Sequence, residues 1–237
     1  MCYSETTHMV DIAANYRAIV ERIGEAAARS GRDPGGVRLL AASKSQSIEK
    51  IRAAVAAGVR LLGENYVQEA VAKKRSVPDV EWHMIGHLQR NKVKPALELF
   101  DVIQSVDSAE LARALDRQGE ARGRAVRALI EVNLAGEASK SGVDKQRLGA
   151  LLAEAGELRW LKVEGLMTVP PLSEDAEKMR PFFRDLAGLR RKYENLGAPN
   201  IALKELSMGM SQDYAVAVEE GATLVRIGTA LFGPREK

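Results

Sequence analysis

One alternation constrains this chain more than any other feature: eight short apolar runs compatible with β-strands, separated by seven longer stretches whose apolar residues recur three or four apart. The strand-like runs fall at 37–43, 59–63, 81–86, 102–106, 126–134, 161–167, 203–208 and 223–227. Helical spacing fills the intervals near 48–58, 65–75, 89–99, 108–122, 144–158, 174–196 and 211–220. Asp107, Ser108, Asp144 and Ser211 stand where a side chain can cap the first amides of these helices. Strands separated by helices pair in parallel through crossovers, and eight such units in 237 residues are the size of a closed (β/α)8 TIM barrel. An additional helix opens the chain, with Ile12, Tyr16, Ile19, Val20, Ile23 and Ala27 on one face and Ser30-Gly31 as its stop. Only Gly228 to Lys237 follow the eighth run, so the opening helix is expected to cover the seam. An open doubly wound sheet is the alternative, but no glycine-rich dinucleotide fingerprint follows the first strand. Nothing reads as a linker, and the expectation is one α/β domain over 1–237.

Composition removes several function classes. The 35 Lys and Arg against 32 Asp and Glu leave a formal charge of +3, far from the dense basic stripe that phosphate neutralisation requires. Lys73-Lys74-Arg75 and Arg190-Arg191-Lys192 lie in helical patterns and read as solvated faces, and the 5% aromatic content offers few stacking platforms. Nucleic acid is therefore not expected as a partner. Nor is a membrane: no run approaches the roughly 20 apolar residues of a span, and no secretion signal opens the chain, so a cytoplasmic location is expected. Cys2 has no second cysteine to pair with and is given no site role. His83 and His87 are four apart on an extended run, roughly 13 Å between Cα atoms, too far to chelate one ion, and no metal is assigned.

In a barrel the site lies at the C-terminal ends of the strands, and these ends are polar. Lys44 is the sharpest feature. Leu40, Ala42 and Lys44 share one face of the first strand, so if the first two point into the barrel the amine does too. Burial disfavours its charge, and a neutral amine is what imine formation with an aldehyde needs. The plain alternative is a strand-end lysine bent out to water. Strands seven and eight end in Ser207-Met208-Gly209 and Gly228-Thr229, where barrels commonly hold a phosphate, although each alone reads equally as a turn and helix cap. Arg226 shares a face with Leu224 and Gly228. Turned inward, it needs an acceptor, either a structural partner such as Glu205 or an aromatic ring nitrogen. An amine, a phosphate cradle and an arginine opposite a ring acceptor are the contacts expected of pyridoxal 5′-phosphate (PLP).

Ala41-Ala42-Ser43-Lys44, Gly63-Glu64-Asn65-Tyr66, the run from Trp82 to Lys92, Glu164-Gly165-Leu166-Met167, Leu206-Ser207-Met208-Gly209-Met210-Ser211 and Val225-Arg226-Ile227-Gly228-Thr229 together closely resemble the pyridoxal phosphate homeostasis protein family, nearly end to end. The resemblance implies a fold-type III PLP-binding barrel like the alanine racemase N-terminal domain, with Lys44 as the Schiff-base lysine. It further implies Ser207, Gly228 and Thr229 at the phosphate, Arg226 near the pyridine nitrogen, and Asn65, Met208 and Met210 lining the pocket. The implied role is intracellular PLP and amino-acid homeostasis without established catalytic turnover. His87 receives no catalytic role.

Two enzyme readings stand beside the carrier. A PLP-dependent racemase needs two acid/base groups on opposite faces of its substrate, and here only Tyr66 and Tyr214 are available to supply the missing one. Both read more simply as packing or surface residues. A cofactor-free Schiff-base lyase would share the lysine and the phosphate cradle but would have no use for Arg226. A barrel without a second domain over its mouth leaves the cofactor accessible, which suits exchange of PLP with other proteins, PLP-dependent apo-enzymes among them.

Overall fold

The computed structural model describes residues 10–137, 140–171 and 173–234; Cys2 and His8 lie outside them. The opening helix α1 (Ile12–Arg29) begins where the Asp11 carboxylate accepts from the Ala14 amide at 2.8 Å. It buries Ile12, Ile19, Ile23, Ala26 and Ala27. It stops where Gly31 adopts φ +66°, a left-handed conformation that costs glycine least.

Eight strands follow in the expected places: β1 (Arg38–Ala42), β2 (Leu61–Glu64), β3 (Glu81–Met84), β4 (Val102–Val106), β5 (Val126–Asn133), β6 (Leu161–Met167), β7 (Ile201–Ser207) and β8 (Leu224–Ile227). Each pairs in parallel with the next, and β8 pairs back onto β1 through Leu40↔Arg226, closing the barrel. A two-residue strand, Val143–Asp144, is appended to β5 outside the ring. The intervening helices are α2 (Ile48–Ala57), α3 (Val67–Ser76), α4 (Val93–Leu99), α5 (Ala109–Arg122), α6 (Leu148–Gly156), α7 (Arg180–Tyr193) and α8 (Tyr214–Glu219), with a four-residue α9 (Thr229–Phe232) at the end. So short a last helix cannot cover its strand. As expected, α1 does so, packing on α2, α8 and α9, with Asn15 Nδ2 donating to the Leu231 carbonyl at 3.0 Å.

The predicted caps fare unevenly. Ser108 stands at the N-cap of α5, yet its hydroxyl donates to Asp107 at 3.0 Å instead of accepting from a helix amide. Asp144 accepts from the Gln146 amide at 2.7 Å in a turn that precedes α6, and Ser211 lies ahead of α8, whose N-cap is Asp213. Among the basic clusters, Lys73 departs from the solvated face expected of it: it is buried, because its ammonium reaches a carboxylate beneath α3.

Apolar burial is divided in two. The larger layer lies between strands and helices, with Trp82 wholly buried and its indole N–H satisfied by the Val77 carbonyl at 3.1 Å. Inside the barrel, Leu40, Leu61 and Leu224 form a separate small plug with Ile85 against them. Gly63 makes room for it, since a Cβ there would sit 2.4 Å from Leu40 Cδ2. The opposite half of the interior is polar, filled by His83, Gln104, Ser207 and Arg226, all buried. No helix among the described residues is long and apolar enough to cross a membrane.

Candidate functional site

Lys44, Asn65, Met210, Arg226, Gly228 and Thr229 line one cavity of about 330 Å³ at the C-terminal mouth of the barrel. That volume lies at the low end of the range for small-molecule sites. Leu40 is in the interior plug and Ala42 lines the cavity, so the period-two argument carries Lys44 to the same opening, where it is half-buried.

The turn bearing Lys44 is fixed from below. The Ser43 amide donates to the Gly63 carbonyl at 2.9 Å, and its hydroxyl to Glu64 Oε1 at 2.7 Å. Lys73 Nζ donates to the same Glu64 oxygen at 2.7 Å and to the Ser43 carbonyl at 2.8 Å. Glu64 is wholly buried, which pushes its pKa up; hydrogen bonds from Lys73 and Ser43 oppose that shift. Beyond Lys44 the chain reverses through Ser45 at φ +59°, held by its amide on Glu69 Oε2 at 3.1 Å. On the adjoining rim, Gly86 lets the loop after β3 touch Asn65: a Cβ would lie 2.5 Å from the Asn65 carbonyl oxygen.

Across the mouth, Gly209 at φ +92° turns the chain after β7, and Gly228 stands at the N-cap of α9. The Ser211 hydroxyl accepts from the Gly228 and Ala230 amides, both at 3.2 Å. Ser211 also lines the cavity, which makes it a functional candidate that sequence reasoning missed by treating it as a helix cap. Its signal was available, since it closes the loop after β7 that faces the end of β8.

Arg226 lies at the cavity floor, 5% exposed. One terminal nitrogen donates to Ser207 Oγ at 2.8 Å and the other to the Thr168 carbonyl at 2.7 Å, leaving three of a guanidinium's five N–H groups. Burial lowers its pKa to about 10, against the attraction of Glu131 and Asp213. Glu131 is itself pushed up to about 7 by burial and by Asp107. Glu205 is not the partner of Arg226. It pairs with Arg38 at 2.8 Å and accepts from the Thr223 hydroxyl at 2.5 Å. Ser207 and Met208 do not line the cavity either. Ser207 is held in the polar half of the interior, and Met208 packs in the outer apolar layer.

Neither tyrosine lines this cavity. Tyr66 is 60% exposed, and Tyr214 is buried with Arg22 of α1 over its ring at 5.7 Å. His83 is buried while His87 meets Asp107 at 3.3 Å on the surface. The titratable side chains among the described lining residues are Lys44, Asp213 and Arg226. Asp213 is committed to the Met210 amide at 2.6 Å. Chemically, the arrangement offers an amine, hydroxyls and backbone amides opposite it, and a cation at depth.

This barrel with its site at the mouth defines the class of the alanine racemase N-terminal domain, whose family model matches residues 11–236. A solved alanine racemase of Clostridium difficile in complex with cycloserine superposes with a TM-score of 0.72 at 15% identity, covering 94% of this chain and 60% of that one. Within that class the chain belongs to the pyridoxal phosphate homeostasis protein family. It is 44% identical over 220 residues to the pyridoxal phosphate homeostasis protein of Aquifex aeolicus, covering 92% of this chain and 96% of the relative. It is also similar to PipY of Synechococcus elongatus, solved with PLP bound, at a TM-score of 0.79 and 41% identity over 91% of this chain and 100% of that one.

Proposed function

We propose that this protein holds PLP in the mouth of its barrel for intracellular PLP and amino-acid homeostasis, without catalytic turnover of its own. One observation carries the reading: Lys44 and Asn65 from the first two strand ends and Arg226 with the Gly228–Thr229 loop from the last, far apart in sequence, converge on one cavity of about 330 Å³. The donor set fits the cofactor, with an amine for its aldehyde, amides and hydroxyls for its phosphate, and a guanidinium with unused N–H groups for its ring nitrogen. PLP supplies an electrophilic carbonyl carbon and a conjugated ring.

Lys44 would hold the cofactor through its amine, the group suited to the aldehyde carbon. Gly228, Thr229 and Ser211 would hold its phosphate, and Asn65 and Met210 would supply the remaining wall of the cavity. Arg226, which has only donors to offer, would hold the ring nitrogen without a proton and so would weaken the ring as an electron sink. Among the described lining residues the further acid/base group is Asp213, one of whose oxygens accepts from the Met210 amide, and neither Tyr66 nor Tyr214 is among them. An open mouth and a reversible covalent link suit handing PLP to apo-enzymes in the cytoplasm. The relatives' names and the PLP-bound PipY support this reading over a racemase or a lyase.

The test is the absorption spectrum of the purified protein with PLP, before and after borohydride, followed by peptide mapping. A visible band that bleaches, with the reduced label on Lys44, is the expected result. A label on another lysine, or stereochemical inversion of a free amino acid at enzymatic rates, refutes the assignment.

A further inference from the structure

Arg226 is the last member of a hydrogen-bonded chain that crosses the barrel interior. Ser207 Oγ accepts from Arg226 at 2.8 Å and donates to Gln104 Oε1 at 2.6 Å. Gln104 Nε2 is 2.7 Å from His83 Nδ1, and His83 Nε2 is 3.1 Å from Glu81 Oε1. The directions are forced. The guanidinium has only donors and Gln104 turns its Oε1 to Ser207, so the Ser207 hydroxyl accepts from Arg226 and donates to Gln104, whose amide nitrogen donates to His83. His83 is thereby set as the tautomer with its proton on Nε2, donating to Glu81. Glu81 ends the chain as a carboxylate, its pKa lowered to about 2 by the hydrogen bond from His83 and by Arg127 at 2.9 Å.

We propose that Gln104 and Ser207 are positioning residues for the cofactor: they hold Arg226 so that its unused N–H groups meet the ring nitrogen, and neither touches PLP. The inference rests on PLP occupying the cavity. It also gives Ser207 a role different from the phosphate contact expected from sequence. Every dipole in the chain points the same way, from cation to carboxylate, so each bond strengthens the next and the guanidinium has one favoured orientation. Thr168 contributes its carbonyl to the other side of the same group and is itself fixed by its hydroxyl on the Val132 carbonyl at 2.8 Å.

Affinity for PLP is compared with affinity for the analogue that carries a C–H in place of the ring nitrogen, in the full-length protein and in its Ser207→Ala and Gln104→Met variants. The native protein binds PLP more tightly than the analogue by about tenfold, the discrimination expected of one charge-assisted hydrogen bond. In both variants that ratio collapses towards one while affinity for the analogue stays unchanged. A merely structural role would weaken PLP and the analogue alike, and that result, or a preserved ratio in the variants, overturns the proposal. Native protein that binds both equally removes the ring-nitrogen contact itself and the inference with it; native protein that binds neither removes the PLP reading. Ser207→Ala deletes a single oxygen, so the test survives if Gln104→Met fails to fold.

Discussion

Replacing Lys73 with methionine tests how the Lys44 turn is supported. The substitution keeps the aliphatic stem and removes the ammonium from Glu64, from the Ser43 carbonyl and from Glu69 at 3.5 Å. The side chains of Lys73 and Glu64 are 10% and 0% exposed, so solvent screening scarcely reduces the loss. A buried carboxylate without its partner costs about 3–5 kcal/mol. In a domain of this size that lowers Tm by about 6–20 °C. The penalty follows pH in a definite direction. Burial raises the folded-state pKa of Glu64, and removing Lys73 raises it further. The folded state then holds a proton that the unfolded chain releases above its ordinary carboxylate range, so stability falls as pH rises through that window and recovers on acidification. Urea titrations of both proteins at pH 5 and pH 8 measure this, with the difference expected to be larger at pH 8. Lys73→Met combined with Glu64→Gln should recover part of the loss, because no charge remains buried. A cost under about 1 kcal/mol, independent of pH, would show that the pair does not support the turn as argued.

Three further outcomes are expected. Ser211→Ala with Thr229→Ala should weaken PLP by about tenfold or more while leaving pyridoxal, which lacks the phosphate, nearly unaffected, as read by equilibrium dialysis of both ligands. Glu131, whose folded pKa of about 7 lies above its unfolded value, destabilises the fold as pH rises from about 4.5 through about 7. Glu131→Gln should remove up to about 3 kcal/mol of that slope in denaturation measured across the interval. Gly86→Ala should cost about 1–3 kcal/mol by forcing Asn65 away from the cavity, seen as a lowered Tm together with weaker PLP binding.

The period of the apolar pattern made the barrel legible, because strands buried on both faces and helices buried on one leave different spacings along the chain. Lys44 was legible for a related reason: a period of two carries Leu40 and Ala42 inward and the amine with them. What escaped depends on contacts between distant segments. Lys73-Lys74-Arg75 has the local signature of a solvated face, and nothing near it in sequence reveals that Glu64 lies under the first of the three. The exchange of roles between Ser207 and Ser211 has the same origin. Which hydroxyl faces the opening is decided by the reversal at Gly209 and by Gln104, 103 positions away from Ser207. Gln104 itself carried no signal, since an amide in the middle of a strand announces neither its acceptor nor its donor.

The covering of β8 by the first helix has a consequence for how the molecule is made. Asn15 and Leu231, 216 positions apart, meet across this seam. During synthesis, β1 waits with one edge bare until β8 has emerged, a period in which it is open to pairing with a neighbouring nascent chain. Ring closure rests on contacts of this large sequence separation, a kind that forms slowly. Loss of α1 and loss of β8 open the same suture, so removing either should produce the same association-prone particle.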